Sequence, residues 1–119
     1  MEERLNVLRE AGLITENIYE KLNNMIVGYK RTYNIELTED NASMMITHLS
    51  QAMMRVERNE KINEPDQGIV DELMNSEHYA KMEEMYKGTC AMLDFEFPPE
   101  EKWFVFVHIG KIIITETIT

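Results

Sequence analysis

Cysteine is almost missing from this chain: Cys90 stands alone among 119 residues. A single thiol closes no internal disulfide, and an unpaired one suits a reducing compartment. Proline and glycine are also sparse, at 3 and 5 residues, which leaves too little loop material for two domains. One core is expected, since a domain of this size buries roughly two-thirds of the surface its unfolded chain exposes and folds without staples. No run reaches the ~18 apolar residues that a membrane span needs, and the opening "MEERLNVLRE" lacks the apolar core of a signal peptide. A cytoplasmic protein without membrane contact is the expectation. Bases are few, 12 against 22 acids, for a formal net charge of −10. Such a surface repels phosphate backbones unless its cations cluster, and "YKR" at Tyr29 to Arg31 is too small a cluster for direct nucleic-acid binding.

Catalytic fingerprints are missing too. There is no Gly-x-Ser-x-Gly elbow, phosphate-binding loop or dinucleotide motif, so an enzyme is not the expected reading. His48, His78 and His108 show neither helical HxxxH spacing nor companion cysteines, and no metal or other cofactor is expected.

What remains is helical periodicity almost everywhere, with no repeat at solenoid periods, which predicts an all-α fold. "ERLNVLREAG" is a short helix closed by Gly12, a residue that tolerates the left-handed conformation after a helix. Thr15 then caps a helix whose apolar stripe is Ile18, Leu22, Met25, Ile26, Tyr29 and Tyr33, with Asn34 as its stop. Thr38 caps the next, with Glu39 and Asp40 at the positive end of the helix dipole and Met45, Leu49, Ala52, Met53 and Val56 facing the core. "RNEKINEPDQG" is the one clear loop, where Pro65 discourages helix through Glu64. A short helix from Gln67 to Asn75 carries Ile69, Val70, Leu73 and Met74. A longer one, capped by Ser76, runs to about Asp94, and its Gly88 costs on the order of 1 kcal/mol unless packing compensates or the helix bends. The closing helix, "WFVFVHIGKIII", is apolar on nearly every side and belongs in a bundle centre or at an oligomer interface. The tail "TETIT" either frays or extends as a strand.

Two histidines stand out. In "THLSQAMMR", Met44, His48 and Ala52 form a row along one helix, and Arg55 lies two turns beyond His48, about 10 Å away along the axis. An arginine there disfavours a protonated imidazole but suits one that carries a phosphoryl group. His108 sits among Phe104, Val105, Ile109 and Ile112, where a polar group needs a partner or a purpose. Spacing alone favours two hydrogen-bonded core histidines. His78, at a helix start among acids, reads as a surface residue, and the ten methionines read as core filling.

The segments around those histidines change the balance. "HLSQAMMR", with His48, Leu49, Ala52 and Arg55, resembles the first signature of the PTS regulation domain, the all-helical module of bacterial antiterminators and transcription activators governed by the phosphotransferase sugar-uptake system. "FPPEEKWFVFVHI", with Pro98, Glu101, Phe104, His108 and Ile109, resembles the second, and the separation of the two histidines also fits. The likeness covers about Thr15 to Ile114. It implies a single five-helix bundle over residues 15–119 preceded by a helical arm over residues 1–14, and a homodimer. It also implies His48 and His108 as phosphoryl acceptors, served by the phosphocarrier HPr or by the EIIB component of a sugar permease. Arg55 is then expected as an anion partner and Glu101 as a supporting group behind the histidines.

Some features depart from the pattern. Such domains usually come in pairs behind an RNA-binding or DNA-binding module, whereas one copy without that module is seen here, so the chain is expected to act in trans rather than as an antiterminator. Lys102 stands where an apolar residue is common. The leading expectation is a phosphorylation-responsive regulatory module. A constitutive dimerisation scaffold that has lost the switch is the alternative, and a small enzyme or ligand-binding protein using both histidines and Glu101 in a pocket comes last.

Overall fold

A computed structural model describes residues 1–62 and 65–118, with side chains through Glu116. Six helices and no strand occur among the described residues: α1 (Glu2–Glu10), α2 (Glu16–Tyr33), α3 (Glu39–Glu57), α4 (Gln67–Asn75), α5 (Tyr79–Leu93) and α6 (Pro99–Ile118). The all-α expectation holds, with one short N-terminal helix ahead of five.

The helix boundaries follow from local chemistry. The Thr15 hydroxyl accepts from the Ile18 N–H, and Asn34 ends α2 in the left-handed conformation at φ 56°. Thr38 opens α3 with a reciprocal capping box, its hydroxyl accepting from the Asn41 N–H while the Asn41 side chain accepts from the Thr38 N–H. Gly12 lies just beyond α1 at φ 75°, as its position suggested.

Three expectations need correction or completion. Ser76 does not cap α5 directly: the helix starts at Tyr79 behind His78, while the Ser76 hydroxyl accepts from the His78 N–H one step earlier. As far as Ile118 the tail is helical and not a strand, because α6 continues to that residue, while Thr119 lies outside the described residues. At Gly88 packing compensates: a β-carbon there would collide with the Tyr33 hydroxyl, so the missing side chain admits α2. The predicted stop at Glu64 lies outside the described residues.

Helix α6 packs on both α5 and α3, and α2 packs on α5 and α3, with α1 laid against α2. The core takes Leu22, Met25 and Tyr29 from α2, Met45, Leu49 and Met53 from α3, and Phe106, Ile109 and Ile112 from α6. Leu5 of α1 is fully buried in the same cluster. Helix α6 is less completely covered than its composition suggested: Val105, Phe106, Ile109, Ile112 and Ile113 are buried, but Phe104, Val107 and Ile114 remain exposed. In α4, Val70 is buried while Ile69 and Met74 face outward. No helix is long and apolar enough to cross a membrane among the described residues.

Candidate functional site

The buried stripe of α3 runs through Met45, Leu49, Ala52 and Met53, which leaves His48 at the edge of that stripe and exposed. On α6 the stripe is Val105, Phe106, Ile109 and Ile112, and His108 sits at its edge, half-buried. The two edges meet where the helices pack. His48 Nδ1 and His108 Nε2 are 2.7 Å apart, a hydrogen bond in which one nitrogen carries the proton and the other accepts. The rings meet edge to face, with centroids 4.6 Å apart and planes at 62°. Neither histidine is a sealed core residue, as spacing alone had suggested.

Two turns further along the same seam lies a second couple. Arg55 Nε and Nη2 each donate to one oxygen of Glu101, both at 2.9 Å. This is the bidentate fork that holds a carboxylate most firmly. Arg55 lies seven residues after His48 on α3, and Glu101 seven before His108 on α6. Antiparallel helices therefore bring like positions together, with the two couples about 10 Å apart. Glu101 is only 3% exposed, and Arg55 supplies the hydrogen-bond partner that a carboxylate so placed needs. Arg55 is thus engaged by Glu101 and not standing free beside His48.

Between the couples an open groove of about 420 Å³ is lined by Leu49, Gln51, Ala52, Phe104, Val105 and Val107, with the two histidines at one end and the ion pair at the other. Its floor is apolar and its ends are polar. A smaller recess of about 90 Å³ lies on the other side of His108, bordered by Asp40, Ser43, Met44 and Lys111. Burial, then the His48 ring, then Lys111 push the His108 pKa down to about 4, so this ring is neutral at physiological pH. The Arg55 guanidinium is raised still further by its bond to Glu101.

All four residues singled out in the sequence, His48, Arg55, Glu101 and His108, are brought to one groove. His78 is not: it stands at the start of α5 beside Glu77. One residue and one contact were missed. Lys111 is one turn beyond His108 on the same helix, a spacing that could have pointed to it. The Arg55–Glu101 bond was missed because Arg55 was read against its own helix. The repeated seven-residue separation was the available signal. Among the described residues no group of three histidines, cysteines or carboxylates could hold a metal ion.

An all-helical domain that presents two contacting imidazoles over an ion-paired groove, one ring open to solvent, defines a class of accessible histidine-pair modules. The chain belongs to the PRD family: residues 14–112 match the PRD domain. These are regulatory rather than catalytic domains. Helix α1 lies ahead of the matched segment. A relative from Escherichia coli K12, "Uncharacterized protein YhfY", is 26% identical over 109 residues, covering 92% of this chain and 91% of that protein. No solved structure matches the chain.

Proposed function

We propose that this protein is a phosphorylation-responsive regulatory module of the phosphotransferase system, which accepts a phosphoryl group on its histidine pair and acts in trans on a partner protein in sugar catabolism. The observation that carries this reading is the pair itself. His48 is exposed and bonded through one nitrogen to His108, so a donor protein can reach a ring that the fold already orients. The donor is a phosphohistidine protein of the HPr type or the EIIB component of a permease, and the module works in the cytoplasm as a homodimer. A phosphoryl group brings roughly 1.5 to 2 negative charges, enough to remodel a helical interface.

Arg55 has a different part from the one its spacing suggested. Its Nε and Nη2 already hold Glu101, and swinging the guanidinium towards the histidines would break that fork and strand a carboxylate that is 3% exposed. Because Arg55 is 31% exposed, breaking the pair costs about 2 kcal/mol, less than the ~3–5 kcal/mol of a fully buried one. Arg55 and Glu101 therefore serve first as the clasp that holds α3 to α6 in the register that pairs the histidines. The same clasp favours the second reading, a constitutive scaffold, because it keeps the seam closed without any modification.

Incubation of the protein with phosphoenolpyruvate, enzyme I, HPr and a permease EIIB component, followed by mass spectrometry at neutral pH, tests the proposal. Phosphohistidine at His48 or His108 is the expected result. Its absence, together with partner binding unchanged by alanine at both histidines, leaves the scaffold reading in place.

A further inference from the structure

The two rings are not equivalent, and their hydrogen bond distinguishes all four ring nitrogens. We infer that His48 Nε2 is the single phosphoryl-accepting atom, and that His108 is the positioning residue that holds His48 in the tautomer leaving this atom unprotonated. The inference rests on the proposed function for its donor, but its geometry stands apart from it.

His48 Nδ1 and His108 Nε2 are consumed in the 2.7 Å bond. Phosphorylation of either would remove the atom that makes the bond and separate the rings. The remaining atoms are Nε2 of His48, on an exposed ring, and Nδ1 of His108, on a half-buried one. Only one proton lies between the rings. If His48 Nδ1 donates it, His48 Nε2 presents a lone pair on the ring that a donor can reach. If His108 Nε2 donates it, the lone pair lies on His108 Nδ1 and the reachable atom is blocked by hydrogen. The first arrangement alone gives an accessible nucleophile.

The transfer balances in that arrangement. The Nε2 lone pair attacks phosphorus, the phosphorus–nitrogen bond of the donor phosphoimidazole breaks, and its electron pair stays on the donor nitrogen. The Nδ1 proton remains in its bond to His108 Nε2, so the cationic phosphoimidazole is stabilised by a neutral acceptor already in place. One phosphoryl group per pair is expected because the other uncommitted nitrogen, His108 Nδ1, belongs to the half-buried ring, which a donor protein reaches less readily than exposed His48.

Long-range proton–nitrogen correlation spectra of the full 15N-labelled chain at neutral pH read the tautomer directly. His48 is expected to carry hydrogen on Nδ1 and none on Nε2. Potassium phosphoramidate, a small donor that needs no docking surface, should add one phosphoryl group per chain, on His48 Nε2. His108→Ala should release the tautomer and slow that reaction about tenfold, the worth of one oriented hydrogen bond. His108→Gln, whose side-chain oxygen can accept the same proton, should restore both. A resting His48 protonated on Nε2 alone, or a doubly phosphorylated pair, overturns the inference even if the phosphotransferase proteins modify the chain. Modification of His48 Nε2 by phosphoramidate but not by those proteins leaves the inference standing and defeats the proposed function.

Discussion

His108 has a measurable signature of its own. Its folded pKa, about 4, lies below the ordinary value of 6.5, so folding favours the neutral ring. The stability this contributes is fully present above about pH 6.5 and is lost as pH falls towards 4, where the unfolded chain binds the extra proton. Urea midpoints of the wild type and His108→Gln, compared across that window, should converge as the pH drops. Carboxylate titration is common to both proteins and cancels in the comparison. Burial is the larger cause and the His48 ring the next, so His48→Gln should raise the His108 pKa only part of the way to its ordinary value. An NMR titration checks this. The clasp is asymmetric in a similar way. Arg55→Ala strands a carboxylate that is 3% exposed, whereas Glu101→Gln leaves a guanidinium that is 31% exposed and can turn to solvent. We expect Arg55→Ala to cost about 2 kcal/mol in urea unfolding, less than a fully buried pair, and Glu101→Gln clearly less than that.

At the scale of helices, the contact between α2 and α5 depends on absent atoms. A β-carbon at Gly88 would meet the Tyr33 hydroxyl, and one at Gly28 would press on the Met92 side chain. Tyr33 is not free to yield, because its ring packs edge to face on Tyr29 with centroids 5.3 Å apart. Gly88→Ala should therefore destabilise the fold by about 1 kcal/mol through overpacking, despite the better helix propensity of alanine. In a Tyr33→Phe background the obstructing oxygen is gone, and the same substitution should stabilise by up to about 1 kcal/mol; thermal unfolding of the four proteins gives the cycle. This contact also marks how far the sequence could be read. Helix order, the Thr15 and Thr38 caps and the two histidine helices were legible because caps and apolar stripes are local. Which helix fills the space over Gly88 was not, because that depends on a residue 55 positions away. The Arg55–Glu101 bond was hidden for the same reason: it follows from the antiparallel register of α3 and α6, which no single segment contains. The helical tail escaped because its β-branched residues read as a strand or as fraying, while Ile112 and Ile113 are buried in the core and anchor the preceding turn.

For the whole molecule, the surface around the histidine pair must serve two visitors. Met44, Phe104, Val107 and Ile114 are 54%, 39%, 40% and 46% exposed, and all belong to α3 or α6. We propose this face for the homodimer, and Phe104 and Val107 on it also border the approach to His48. A second copy seated there would exclude a donor protein, so dimerisation and phosphorylation should oppose each other, and by linkage each should weaken the other equally. The formal charge of −10 adds self-repulsion that salt screens. Raising the salt from about 0.05 to about 0.5 M should therefore tighten the dimer in sedimentation velocity. Val107→Glu should yield monomers with unchanged helix content, and those monomers should accept a phosphoryl group faster than the wild type at concentrations where the wild type is paired. A wild type that stays monomeric at every salt concentration defeats the dimer. Equal phosphorylation rates in the two proteins would instead place the second copy on another face, leaving the histidines open in both states.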